Sequence, residues 1–225
     1  MALAAEARAL GVGVHNPRRV QAYAGGDYAI LAGMGPEAAR SAASALVAAG
    51  AQALLSIGTA GALRQDLRAG DLLLPDKILW QGREYPVDQH LAENFPVSCP
   101  AAPRGALLTL AAPLATPAAK AQAAAQALAV DMESGAVAAL AQELGMSFLA
   151  LRVIVDSADS RLPQAVLHGV DAFGRPLLPG FVWQLIRRPQ DIPALLRLGR
   201  QMQAAAATLR HLRGPLQGRA ERCVP

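Results

Sequence analysis

Acidic side chains beside buried apolar runs are expensive, so they mark places where a chain does chemistry or pairs charge. Two such places stand in this sequence. Asp131-Met132-Glu133 opens an Ala-rich helical stretch, and Arg152-Val153-Ile154-Val155-Asp156 closes an apolar run further on. Glu133 reads as a functional carboxylate or as a helix N-terminal charge favoured by the dipole. Asp156 reads as an acid or as a cap after a strand. Arg152, inside the apolar run, reads as a buried structural partner for a carboxylate. A third segment, Ser56-Ile57-Gly58-Thr59-Ala60-Gly61-Ala62-Leu63, puts hydroxyls and small residues after a buried run. It suits a pocket wall with donors, or a glycine-rich turn capped by Thr59. Gly33-Met34-Gly35 lets a backbone approach a ligand at a helix N-terminus, where an anion is favoured. A tight turn is the plain alternative.

These residues need elements to position them. Tyr28–Ala32 reads as a buried strand, followed by a helix from Pro36 to Ala49 with proline in its first turn and Gly50 at its end. Ala53–Ile57 reads as the next strand, with a turn at Gly58–Gly61. Leu72–Leu74 is a third apolar run, ended by Pro75. Residues 77–104 read as irregular surface loop. Leu107–Leu110 suits a strand, and Thr116-Pro117 opens a helix to Gln126. Ala129–Met132 leads into a helix over Glu133–Leu144, closed by Gly145. Phe148–Val155 is an apolar run broken only by Arg152, as expected of a strand covered on both faces. Residues 157–176 read as loop with a possible helical turn, and Pro179–Arg187 and Ile192–Leu212 as helices. Strands alternating with helices imply an α/β domain with helices on both faces of its sheet. In such sheets ligands gather at the carboxyl ends of strands.

Together the segments resemble the purine nucleoside phosphorylase and methylthioadenosine/S-adenosylhomocysteine nucleosidase superfamily. The resemblance runs through LAAEARAL, GMGPEAAR, SIGTAGAL, AGDLLLP, AVDMESGAVA and RVIVDSAD, in that order, over about Ala2 to Ala158. Within the superfamily the chain looks most like the hopanoid-associated phosphorylases. That likeness is carried by ATPAAK (Ala115 to Lys120), AVDMES and VDAFGRPLLP…LIRRPQDIPALLRL, and extends to about Leu212. The resemblance implies an α/β three-layer sandwich, a central mixed sheet flanked by helices, as one domain over residues 1–213 with a disordered tail at 214–225. It implies release of adenine from an adenosine derivative, adenosylhopane first, without a cofactor but with phosphate as a candidate co-substrate.

The resemblance also implies roles. Asp156 would act at purine N7, a general-acid role typically worth ~10²–10⁴-fold. Glu133 would hold the ribose hydroxyls, with Met132 packing on the sugar. Glu6 falls where nucleosidases keep the carboxylate that orients the attacking water; an exposed helix charge is its alternative. Thr59, Ala60 and Gly61 would bind substrate. Pro113 and Leu114 stand where nucleosidases carry the aromatic that stacks on the purine. Phosphorylases often have arginine at the place of Ser56. Here the water or phosphate site would fall to Ser56, Thr59, Gly33, Gly35 and Arg40, with Arg8 as another cation. Water and phosphate both stay open as nucleophiles.

Bulk properties exclude other classes. The 225 residues are 53% hydrophobic and only 4% aromatic, so the core must be Ala, Leu, Val and Ile with closely approaching backbones. The net charge is +4, with basic residues clustering from Arg187 to Arg222. No zinc-finger spacing or aromatic–basic interleaving accompanies it, which argues against nucleic acid. Cys99 and Cys223 lack short-range companions and read as reduced cytoplasmic thiols. His15, His90, His168 and His211 are scattered, so no metal site is expected. Glu6 and Arg8 interrupt what would otherwise be a signal core, and no apolar run spans a bilayer. Leu177–Ile186, flanked by Arg187 and Arg188, is apolar enough to border the site mouth and face the inner membrane; packing on the core or on another subunit is its alternative. Homo-oligomerisation is expected by analogy. Two rival functions remain: a methylthioadenosine/S-adenosylhomocysteine nucleosidase, and a non-catalytic nucleotide- or lipid-binding protein.

Overall fold

The structure, a computed structural model, describes residues 1–13, 15–23, 26–94 and 102–220. Its centre is a parallel pair of long strands, β3 (Ala53–Ala62) and β9 (Ser147–Asp156), which run in register from Ala53 opposite Ser147 to Ala60 opposite Ile154. A shift then places Gly61 opposite Asp156. Both strands are mostly buried apolar runs, as strands covered on two faces require, with Arg152 as the charged exception on β9. Around them stand β4 (Leu72–Leu73), β5 (Lys77–Trp80), β6 (Arg83–Pro86), β7 (Ala106–Thr109) and β8 (Ala129–Asp131). The seven strands lie in the order β4-β9-β3-β8-β7-β5-β6, with parallel and antiparallel neighbours mixed. Gln21–Ala22 and Tyr28–Ala29, β1 and β2, form a separate hairpin.

Helices cover the sheet. α2 (Pro36–Ala48) packs against α5 (Ser134–Glu143), which lies on β3, β5 and β9. α1 (Ala4–Leu10) packs against α8 (Ile192–Ala220), which lies along β9. Shorter helices are α3 (Gln89–Glu93), α4 (Pro117–Ala123), α6 (Gln164–His168) and α7 (Leu178–Arg187). This is the mixed-sheet α/β sandwich that the sequence implies. Thr116 caps α4, its side chain accepting from Ala119 N at 3.3 Å, and Pro117 takes the first turn.

Four expectations change. The run Tyr28–Ala32 joins no long ladder: only Tyr28 and Ala29 pair, with β1, while Ile30–Ala32 is buried but held by isolated bonds such as Ala32 N to Met1 O at 2.8 Å. Gly58–Gly61 is not a turn but strand, because β3 runs on to Ala62. The described part of residues 77–104 holds regular structure, Lys77–Trp80 and Arg83–Pro86 as strands and Gln89–Glu93 as a helix, while 95–101 lie outside the described residues. β5 and β6 form a hairpin whose two-residue turn, Gln81-Gly82, has φ +50° and +72°, the left-handed pair that a tight hairpin demands. Glutamine in place of the usual Asn or Asp hides that signal. Finally, α8 runs to Ala220, past residue 213 where the sequence reading ends the fold. Residues 221–225 and both cysteines lie outside the described residues.

Candidate active site

The site forms where β3 and β9 end. Two glycines on β3 are there because carboxylates need their space. A Cβ on Gly58 would lie 2.9 Å from Glu6 Oε2, and one on Gly61 would lie 2.9 Å from Asp156 Oδ1. Glycine inside a strand therefore marks close approach by a side chain rather than a turn. Gly58 and Gly61 bring two acids onto one strand.

Glu6 is 2% exposed, so it is not a surface helix charge. Its Oε1 accepts from Thr59 N at 2.8 Å and Thr59 Oγ1 at 2.7 Å. Its Oε2 accepts from Ala2 N at 3.1 Å and Leu3 N at 3.0 Å. A carboxylate offers about four acceptor positions, so Glu6 is saturated. It satisfies the open edge of β3 and the first turn of α1 together.

Glu133 precedes α5 and reaches across to the Gly33–Gly35 turn, where its Oε1 accepts from Gly35 N at 2.9 Å. Gly33 and Gly35 both have positive φ, +94° and +97°, which a side chain would strain. Burial, and then the neighbouring Asp131, push the Glu133 carboxyl up to about 7; the Gly35 N–H and Arg152 pull against that. The position of α5 depends on Gly135, where a Cβ would meet Trp80 at 2.3 Å. Met132 is half-buried beside Glu133.

Behind Glu133 sits a closed network. Arg152 donates from Nε to Asp131 Oδ2 at 2.9 Å, from Nη2 to Ser56 Oγ at 2.6 Å and Ser134 Oγ at 2.9 Å, and from Nη1 to Ser56 O and Leu151 O, both at 2.9 Å. Asp131 also accepts from Thr109 Oγ1 at 2.6 Å and Ser134 N at 3.0 Å. Arg152 is the structural partner that its apolar setting implies.

Asp156 is 5% exposed and paired with Lys120, whose Nζ donates to Asp156 Oδ2, to Ser157 O at 2.7 Å and to Ser160 Oγ at 3.3 Å. Lys120 is 1% exposed. Sequence reasoning passes over its charge, although a lysine among the alanines of a short helix is a signal of that kind.

A small cavity of about 40 Å³ opens between α2, β3 and the first residues of the chain. Glu6, Ser56, Gly58, Thr59, Glu133 and Arg152 line it. Asp156 does not. It lies opposite Gly61, two residues beyond Thr59 and so ~7 Å further along β3. A wider cleft of about 610 Å³ adjoins it through Ile30, Ala32, Ala42 and the Met34–Gly35 turn.

Several expected site residues lie elsewhere. Arg40 is a surface residue, bidentate to Glu143 at 3.1 and 2.5 Å, and Arg8 is exposed. Ser56 has its hydroxyl taken by Arg152 rather than free for a ligand. Ala60 is packed into the core beside β9. Pro113 is exposed, and Leu114 packs against the cluster of Leu63, Ala123, Ala127 and Val130. Among the described residues no group of acids, histidines and cysteines could hold a metal.

The fold is that of the nucleoside phosphorylases and nucleosidases. The chain belongs to the phosphorylase superfamily, which matches residues 15–174. Similar solved structures include the futalosine hydrolase of Helicobacter pylori, at 16% identity and a TM-score of 0.66, covering 97% of this chain and 95% of that one. The 5′-methylthioadenosine/S-adenosylhomocysteine nucleosidase of Neisseria meningitidis, in complex with methylthio-immucillin-A, is 17% identical with a TM-score of 0.64, covering 96% of each chain. The corresponding nucleosidase of Helicobacter pylori is 16% identical with a TM-score of 0.64, covering 96% of this chain and 95% of that one. At these identities the likeness is one of fold. No curated protein matches the sequence.

Proposed function

We propose that this enzyme cleaves the purine N-glycosidic bond of an adenosine derivative, with adenosylhopane as the leading substrate. The observation that carries the reading is the placing of Glu133 and Asp156 at the ends of β8 and β9, beside one strand of small residues. Glu133, held by Gly35 N, accepts from the ribose hydroxyls and lies near the positive charge that grows on the sugar. As the C1′–N bond breaks, the Lys120 ammonium passes a proton to the Asp156 carboxylate it pairs with and Asp156 delivers a proton to purine N7, leaving Lys120 neutral until solvent reprotonates it. Met132 and Thr59 border the sugar.

Water is the nucleophile that the surroundings favour. Two carboxylates, Glu6 and Glu133, line the cavity, while the cations expected to hold phosphate are elsewhere: Arg40 pairs with Glu143 and Arg8 is exposed at the surface. Arg152 is at the cavity wall with all its donors engaged. An entering phosphate would meet like charge from the two carboxylates. Glu6 takes the water proton after releasing one of its four bonds.

The C-terminal stretch that resembles the hopanoid-associated enzymes supports a large apolar 5′ group. A methylthioadenosine/S-adenosylhomocysteine nucleosidase is the second reading, favoured by the buried Glu6–Thr59 pair. A purely binding role has less support, since binding alone does not call for a lysine-paired buried acid. The test is to incubate the protein with adenosylhopane or methylthioadenosine, with and without phosphate, and to measure free adenine. Release from adenosylhopane without phosphate is expected. Release only from methylthioadenosine selects the second reading, a phosphate requirement overturns water as nucleophile, and no release from either returns the binding role.

A further inference from the structure

Helix α7 turns apolar side chains in two directions. Phe181, Gln184 and Leu185 are half-buried against the body of the protein. Leu178, Val182 and Ile186, spaced four apart and so stacked along one stripe, face solvent together with Trp183. Leu178 is 68%, Trp183 54% and Ile186 67% exposed. Ile192 and Leu196, in the first turns of α8, are exposed as well. An apolar stripe of this kind on a folded chain marks an interaction site.

The charge around the face selects the partner. From Leu177 to Arg213 the sequence holds six arginines and one aspartate, more positive charge than the +4 of the whole chain. Arg187 and Arg188 close α7, and Arg197 and Arg200 follow on α8, all four exposed. The single acid, Asp191, is half-buried and accepts from Gln164 N at 3.3 Å. The Arg187 guanidinium lies over the Trp183 ring, 4.7 Å from its centroid. Tryptophan with aliphatic residues on one face and arginines at its border is the composition of a helix lying in the interface of an anionic bilayer. A second copy of this chain fits less well. A two-fold contact would bury the same patch of both copies, and the six arginines of residues 177–213 would add like charge across it with one aspartate to offset them.

The face is also joined to the site. Leu177 N donates to Gly169 O at 2.8 Å, and the turn between them receives Met34 N on Ala172 O at 2.7 Å and Ala4 N on Phe173 O at 3.0 Å. The turn that leads into α7 therefore rests on the Gly33–Gly35 turn that holds Glu133.

We propose that α7 and the first turns of α8 form a peripheral docking face for anionic phospholipid, placed beside the active-site entrance. The proposal goes beyond the reaction and does not depend on the 5′ group of the substrate. Among the described residues no helix is long and apolar enough to cross a membrane, so contact through α7 would lie in the plane of the surface. The test is co-sedimentation of the full chain with vesicles of phosphatidylcholine alone, or of phosphatidylcholine and phosphatidylglycerol in equal parts. Binding is expected to the second and to weaken with salt. Trp183→Ser with Ile186→Ser should lower it at least about tenfold, and Arg187→Gln with Arg188→Gln about 25-fold, since each surface arginine is worth roughly a factor of five. Both double variants should keep the wild-type melting temperature and the wild-type rate of adenine release from methylthioadenosine. Equal binding to both vesicles, or no loss in the folded variants, overturns the proposal. So does sedimentation velocity showing that these substitutions dissolve an oligomer, which gives the face to a second copy. Vesicle binding is measured without turnover, so its failure is separate from failure of the proposed reaction.

Discussion

Two buried ion pairs sit one strand apart in this protein and have different surroundings. Arg152–Asp131 is enclosed, with side chains only 2% and 0% exposed, and it is tied to Ser56, Ser134 and Thr109. Lys120–Asp156 stands at the strand end, with the aspartate side chain 7% exposed beside a glycine that leaves it room. The enclosed pair has no donor left to give a ligand, so its work is to hold β3, β8, β9 and α5 in place. In the reaction proposed above, the second pair keeps an acid in reach of the purine. Burial, charge and engaged donors do not separate the pairs, since Lys120 also gives all three of its donors; the acids differ, Asp131 accepting on both oxygens while Asp156 accepts only on Oδ2 among the described residues.

That contrast can be broken by substitution. Arg152→Met strands Asp131 without its partner, and removing one member of a buried pair costs about 3–5 kcal/mol. Chemical denaturation should show a loss of that size. A small loss would mean that the network is not what holds the strands together. Asp156→Asn should lower adenine release by ~10²–10⁴-fold in protein that still folds, with a loss of stability of its own because the buried Lys120 ammonium loses its counter-charge. Unchanged kcat would remove Asp156 from the chemistry. Lys120→Met should lower kcat by roughly tenfold or more, alter its pH profile and change KM less, with Lys120→Arg restoring part of the rate. Equal loss in both variants, with an unchanged profile, would make Lys120 a packing residue.

Glu133 sharpens the comparison through pH. Its carboxyl is raised to about 7 in the folded protein, chiefly by burial, from an ordinary value of 4.5. The folded state therefore binds its proton more tightly than the unfolded state does. Its stabilising effect is full below about 4.5 and is lost as pH rises through about 7. Glu133→Gln should flatten the stability curve over that window, measured by denaturation at several pH values; a curve as steep as that of the parent would contradict the shift. Ribose binding needs the ionised form, so kcat/KM should climb as pH rises toward 7. The smallest effect belongs to Arg40→Ala, which breaks an exposed pair with Glu143. It should change stability by less than about 0.5 kcal/mol and leave the response to phosphate unaltered.

The parts legible in the sequence were those with local causes. β9, α2 and α4 follow from apolar periodicity, Pro36, Thr116 and Pro117, and Arg152 in an apolar run points to a buried acid. Less legible were features set by distant residues. Gly58 and Gly61 look like a turn until Glu6 and Asp156 arrive from elsewhere in the chain to occupy the space beside them. Lys120 acquires its role only when α4 folds over the end of β9. The β5–β6 hairpin was hidden because Gln81 adopts a conformation that sequence rules reserve for asparagine and glycine. Arg40 looked available because its partner Glu143 lies on another helix, and Ser56 because its own partner lies on β9.

The account stands on Glu133 and Asp156 serving one nucleoside from its two ends. The measurement that addresses this most directly is a crystal structure of the protein with methylthio-immucillin-A bound. It should place a Glu133 oxygen at hydrogen-bond distance from the hydroxyl of the sugar-like ring, and Asp156 at the same distance from the nitrogen equivalent to N7. A ligand that touches Glu133 while Asp156 remains closed against Lys120, facing no part of the base, would contradict it.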